Sequence, residues 1–63
     1  MKIIAQEYRE VSGPLALKLA EVVRELMKDY EQPIYTVVVH QVIAVGEDRY
    51  VVILNILLND GYE

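Results

Sequence analysis

Hydrophobic positions along this chain keep three different rhythms. In KIIAQEY, from Lys2 to Tyr8, β-branched and polar residues alternate loosely, which predicts a short strand. Lys2, Gln6 and Glu7 make it the most polar strand, as suits a sheet edge. Gly13 and Pro14 break the rhythm, and Ser12 stands where a side chain could cap a helix. From Pro14 to Tyr30, PLALKLAEVVRELMKDY has a helical period. At about 100° per residue, Leu15, Ala16, Leu19, Ala20, Val22, Val23, Leu26, Met27 and Tyr30 share one broad side. Lys18, Glu21, Arg24, Glu25, Lys28 and Asp29 share the other, where Lys18–Glu21, Glu21–Arg24 and Glu25–Lys28 stand three apart and can pair. Leu17 alone is apolar among these charges, either a solitary exposed leucine or a contact with a neighbouring subunit. Gln32 and Pro33 end the helix, because the residue before a proline is disfavoured in helical geometry.

The third rhythm has period two and covers residues 34 to 58. It predicts two long strands, Ile34 to Val45 and Arg49 to Leu58, joined by a tight hairpin in GEDR. With Glu47 and Asp48 as the turn residues, His40 lies opposite Asn55 and Thr36 opposite Asn59, so polar meets polar. One face then carries Thr36, Val38, His40, Val42, Ala44, Val51, Ile53, Asn55 and Leu57. The other carries Tyr35, Val37, Val39, Gln41, Ile43, Val45, Tyr50, Val52, Leu54, Ile56 and Leu58. The second face is more uniformly apolar and should take the helix. The most apolar strand, VVILNILL from residue 51 to 58, should be central, which gives the strand order 1-3-2; the order 1-2-3 with a right-handed crossover would centre the wetter strand. The expected fold class is α+β: a single β-α-β-β domain over residues 1–63, a three-stranded antiparallel sheet with one helix packed on one face.

Both sheet faces are oily, and a lone helix covers one. The second face therefore reads as an interface between subunits of a homo-oligomer, formed by Thr36, Val38, His40, Val42, Val51, Ile53, Asn55 and Leu57. The polar groups in that face need partners from another copy, from water or from a ligand.

Composition strengthens this expectation. A chain of 63 residues buries only about 60% of the surface its unfolded form exposes, and small domains usually add disulfides, a metal or a partner. There is no cysteine and only one histidine, so no disulfide, thiolate site or zinc cluster is expected, and association is the staple left. The net charge of −4, with scattered Lys and Arg, argues against nucleic acid as a partner. No stretch approaches the ~20 apolar residues of a membrane span, and no charged-then-apolar leader opens the chain, so the expected location is cytoplasmic.

Candidate chemistry is sparse. His40 is the one side chain that titrates near neutral pH unaided, but Asn55 and Thr36, its expected neighbours, activate nothing, so a packed, hydrogen-bonded role is expected rather than catalysis. Tyr8, Tyr30, Tyr35, Tyr50 and Tyr62 could stack on a flat ligand, but such rings are more often half-buried with the hydroxyl in water. Glu47 and Asp48 at a hairpin tip lack the further oxygen ligands of a calcium loop.

The order short strand, helix, long hairpin resembles the dodecins, small β-α-β-β flavin-storage proteins that assemble as hollow dodecamers. The sharpest part is IYTVVVHQ, residues 34 to 41, where an aromatic precedes alternating valines. The resemblance implies homo-oligomeric assembly and a flavin between subunits. Tyr35 falls where dodecins usually carry the tryptophan that stacks on the flavin ring, and Val51 aligns near the glutamine that hydrogen-bonds it. Tyrosine stacks less strongly than tryptophan, and valine cannot make that bond. The expected function is a small non-enzymatic assembly protein holding a flat ligand, with Tyr35, His40 and Asn55 as candidate ligand-binding residues. The alternative is a protein–protein interaction module that uses the bare sheet face for a different protein. An enzyme with its site around His40 at a subunit interface is a third class.

Overall fold

Residues 49–58, the most apolar run of the chain, form the middle strand of the sheet. In a computed structural model covering residues 1–63, the elements are β1 (Lys2–Ser12), α1 (Leu15–Asp29), β2 (Tyr35–Gly46) and β3 (Arg49–Leu58). The fold is α+β, with one helix and a three-stranded antiparallel sheet ordered β1-β3-β2. Placing β3 at the centre puts its apolar side chains between two neighbours, where most surface leaves water.

β1 runs to Ser12, past the Tyr8 expected from hydrophobic alternation. Arg9, Glu10 and Val11 pair with Val52, Val51 and Tyr50, so the long central strand holds them extended despite their polarity. Gly13 then turns the chain with φ +103°, a region that L side chains rarely adopt. Its N–H donates to the Asp48 carbonyl at 2.9 Å, which ties this corner to the hairpin tip. Pro14 stands at the helix N-cap in extended geometry without a side-chain cap, so Ser12 does not serve the capping role. Leu17 is 65% exposed, on the charged side of the helix.

Glu47 and Asp48 do form the hairpin turn, with Gly46 opposite Arg49 and Asp48 at φ 52°. Beyond it the pairing departs from a simple two-residue count. The register shifts between Ala44 and Gly46, and again between Val39 and Gln41, so Val45 and His40 are extra residues without a cross-strand partner. The first bulge inverts the faces of Gln41 to Ala44, and the second restores the alternation of Tyr35 to Val39 with the pairing slipped by two residues. Val38, not His40, is therefore opposite Asn55, and Leu57, not Asn59, is opposite Thr36. Val42, expected on the bare face, lies opposite Val52 and packs against the core, while Gln41 and Ile43 pair with Ile53 and Val51 on the far side. Ala44 moves to the helix side for the same reason, opposite Tyr50.

The core is small. Val22 and Leu26 of α1 meet Val52, Leu54 and Ile56 of β3, and these five are the only buried residues. Leu54 has no exposed surface, so Leu54→Ala should cost about 2–5 kcal/mol, whereas Leu17→Ala should shift stability by less than about 0.5 kcal/mol. Equilibrium urea unfolding of both variants at one fixed protein concentration checks this contrast.

Candidate functional site

The face of the sheet away from α1 is built by alternation on β3. Val52, Leu54 and Ile56 point to the helix, so Val51, Ile53, Asn55 and Leu57 point the other way. Cross-strand pairing sets four rows over this second face. Glu10, Val51 and Ile43 form one, and Tyr8, Ile53 and Gln41 the next. Gln6, Asn55 and Val38 form the third, and Ile3, Leu57 and Thr36 the last. No element of the chain packs over these rows. Ile3 is 60% exposed and Tyr8 61%, and Val38 and Ile43 are about as open as each other at 40% and 39%.

A hydrogen-bonded line crosses this apolar field. The Tyr8 hydroxyl donates to Gln6 Oε1 at 2.8 Å, and Gln6 Nε2 donates to Asn55 Oδ1 at 3.0 Å. Asn55 thus finds its partner on β1 rather than on β2. Near the end of the hairpin, Thr36 Oγ1 donates to Asn59 Oδ1 at 2.8 Å, and Asn59 Nδ2 donates to the Pro33 carbonyl at 2.6 Å. The expected Thr36–Asn59 contact is therefore made by side chains, although the two are not cross-strand partners. It fastens the start of β2 to the end of β3, together with the bond from the Asn59 N–H to the Ile34 carbonyl.

Of the expected interface residues, Thr36, Val38, Val51, Ile53, Asn55 and Leu57 share the uncovered face, and Val42 does not. His40 is exposed at the bulge in β2. Tyr35 lies opposite Leu58 on the helix side, with its ring 5.6 Å from that of Tyr30 at an interplanar angle of 79°, an edge-to-face pair. The three candidate ligand residues Tyr35, His40 and Asn55 are thus on three different parts of one protomer: beneath the helix, at the outer strand, and on the central strand of the open face.

Gln6, Tyr8, Gln41 and Ile43 belong to the open face but were not placed there from the sequence. Asn55 in an otherwise apolar strand is a signal for the first two, because a central polar side chain calls for a polar neighbour on the other flanking strand. Gln41 and Ile43 depend on the bulge, which no residue in VVVHQVIA announces.

Elsewhere, Arg9, Glu10, Ser12, Lys18, Glu21 and Glu25 line a polar cleft of about 360 Å³ between β1 and α1. No group of three or more His, Asp or Glu side chains is arranged to hold a metal ion, and no helix is long and apolar enough to cross a membrane. Comparisons with protein-family models, with curated proteins and with solved structures give no match.

Two groups are displaced, both upward: the exposed Met1 amine beside Asp60 and Glu63, and the Tyr30 phenol. Burial raises the Tyr30 phenol above its ordinary range, and the charge of Glu7, which accepts its hydrogen bond at 3.4 Å, adds to the effect. The folded chain therefore holds this proton more tightly than the unfolded chain. Its contribution to stability is complete below the ordinary tyrosine range and is lost as pH rises through the raised value. In a spectrophotometric alkaline titration of the folded protein, a tyrosinate step above the ordinary tyrosine range should be present and should vanish in Tyr30→Phe.

Proposed function

We propose that this protein is a small, non-enzymatic assembly protein whose copies pack on one another through the uncovered sheet face, as a dodecin-like homo-oligomer. The observation that carries this reading is the contrast within β3. Val52, Leu54 and Ile56 have no exposed surface, while the alternate residues Val51, Ile53 and Leu57 keep part of theirs in water, beside the more open Ile3, Tyr8, Val38 and Ile43. Full burial of a large apolar side chain is worth about 1.5–3 kcal/mol. Native domains hold a net of only about 5–15 kcal/mol, and a domain this small lies at the low end. Leaving such a face in water forfeits a share of stability that a five-residue core cannot easily replace.

The polar line across the face supports packing against a like surface. Tyr8, Gln6 and Asn55 bond to one another across β1 and β3, which offsets part of the cost of covering them, while Glu10 at the rim of the face stays in water. Asn55 Nδ2 and Gln41 are free to bond across the contact, and a polar side chain in an apolar interface fixes register.

A flat ligand such as a flavin, held between subunits, completes the reading. No single surface of one protomer carries Tyr35, His40 and Asn55, so a ligand touching all three is bounded by more than one copy. On the open face itself, Tyr8 offers an exposed ring beside the two amides.

Light scattering and an absorbance spectrum on the same purified sample test both halves. The expected result is an oligomer at micromolar concentration, with visible absorbance from the bound ligand. Ile53→Lys should lower the mass while the far-UV circular dichroism is kept. A well-folded single copy at that concentration overturns the assembly, and points to a module that binds a different protein on this face. A colourless oligomer removes the ligand and leaves the assembly standing.

A further inference from the structure

The sheet has two open edges, and they are built differently. Along β1 stand Lys2, Glu7, Arg9 and Glu10, and the flank of α1 on that side presents Lys18, Glu21 and Glu25. Charges of this kind are how edge strands discourage pairing with another chain. β2 carries no Asp, Glu, Lys or Arg from Tyr35 to Gly46. The flank of α1 away from β1 is apolar as well: Leu19, Ala20, Val23 and Met27, with Arg24, line a groove of about 540 Å³. Below it Val39 is 38% exposed, although its side chain is on the helix side of the sheet.

The backbone of β2 is also open on its outer side. Among the bonds made outside the regular helix and strand pairing, one involves a β2 backbone group, the Tyr35 N–H donating to the Glu31 carbonyl at 3.0 Å. The rest of the outward N–H and C=O groups along this strand meet no other part of the chain. An unpaired, uncharged strand flanked by an apolar helix side is a surface that lacks both a backbone partner and a hydrophobic cover.

We propose that β2 of one copy pairs antiparallel with β2 of a second copy across a two-fold axis, joining two sheets into one of six strands. The same contact seats the Leu19, Ala20, Val23 and Met27 flank of each helix against its counterpart. A second copy fits for three reasons. Antiparallel pairing is what a two-fold axis imposes on a strand that meets itself, so the edge is self-complementary. A strand without charges brings no like charges opposite one another. The twelve-residue strand and the helix flank above it present one continuous side along the 42 Å length of the molecule. The bulges at His40 and Val45 divide the ladder and leave Tyr35–Val39 as its longest uninterrupted run.

This contact goes beyond the face-to-face packing above and shares no apolar anchor with it. Either alone gives a pair of copies; the two together link copies through different sides and give a larger assembly.

Hydrogen–deuterium exchange of the wild-type protein at two concentrations, read by peptide, tests the edge directly. Amides of β2 should become at least tenfold slower to exchange at the higher concentration, while those of β1 are unchanged. Ala20→Glu with Met27→Glu, both at exposed positions, should abolish that protection and lower the assembled mass with the circular dichroism retained. Ile53→Lys, on the other surface, should lower the mass and keep the β2 protection. Exchange of β2 that does not respond to concentration overturns the edge pairing, as does full β2 protection in the double variant. A response that Ile53→Lys removes and the double variant keeps assigns the contact to the open face and overturns the edge pairing too.

Discussion

The structure depends on a mismatch between cover and demand. β3 is apolar on both of its sides, and the chain supplies one helix. That helix seals Val52, Leu54 and Ile56 with Val22 and Leu26, and nothing in the protomer seals Val51, Ile53 and Leu57. The hydrophobic effect acts on area without regard to direction, so the second side of the strand is under the same drive as the first. Every other feature of the surface is a consequence of where that demand is met and where it is left open.

The pair of bulges at Val45 and His40 is the second determinant. Without them, strict alternation along β2 would put Val42 in the open and Gln41 against the core, where its amide would need a buried partner. The unpaired Val45 sends Val42 inward to Val52 and Gln41 outward to Ile53, and the unpaired His40 returns Thr36 and Val38 to the open face. The lone histidine therefore serves as the residue that absorbs the slip, in a position with no cross-strand neighbour to constrain its size. The same slip removes it from Asn55, whose side-chain partner becomes Gln6 on the opposite strand.

This division explains what was legible in the sequence. The helix, the hairpin turn at Glu47–Asp48, the order β1-β3-β2 and the helix-facing set of β3 all follow from period and polarity, which local spacing records. The faces of Gln41 to Ala44, between the two bulges, do not, because a bulge is set by how three strands and a helix fit together and leaves no mark in VVVHQVIA. The full length of β1 is hidden for a related reason: Arg9 and Glu10 look like loop residues until the length of β3 opposite them is known. Tyr35 illustrates the limit for a site. Its position at the start of β2 was clear, but its ring turns toward Tyr30, a contact that depends on where the helix ends.

In the proposed assembly, folding and association would be one problem. A core of Val22, Leu26, Val52, Leu54 and Ile56 is small for 63 residues, and no disulfide supplements it. Any contact that binds the folded form and not the unfolded one adds to stability by mass action, so the apparent stability of an assembling protein rises with its concentration. The asymmetry between the edges gives that coupling a direction. Charges on β1 and on the neighbouring flank of α1 oppose indiscriminate strand addition on one side, while β2 carries none. A sheet with both edges unguarded would grow without end, whereas a guarded edge with the proposed two-fold contact at the other would close the sheet at two copies.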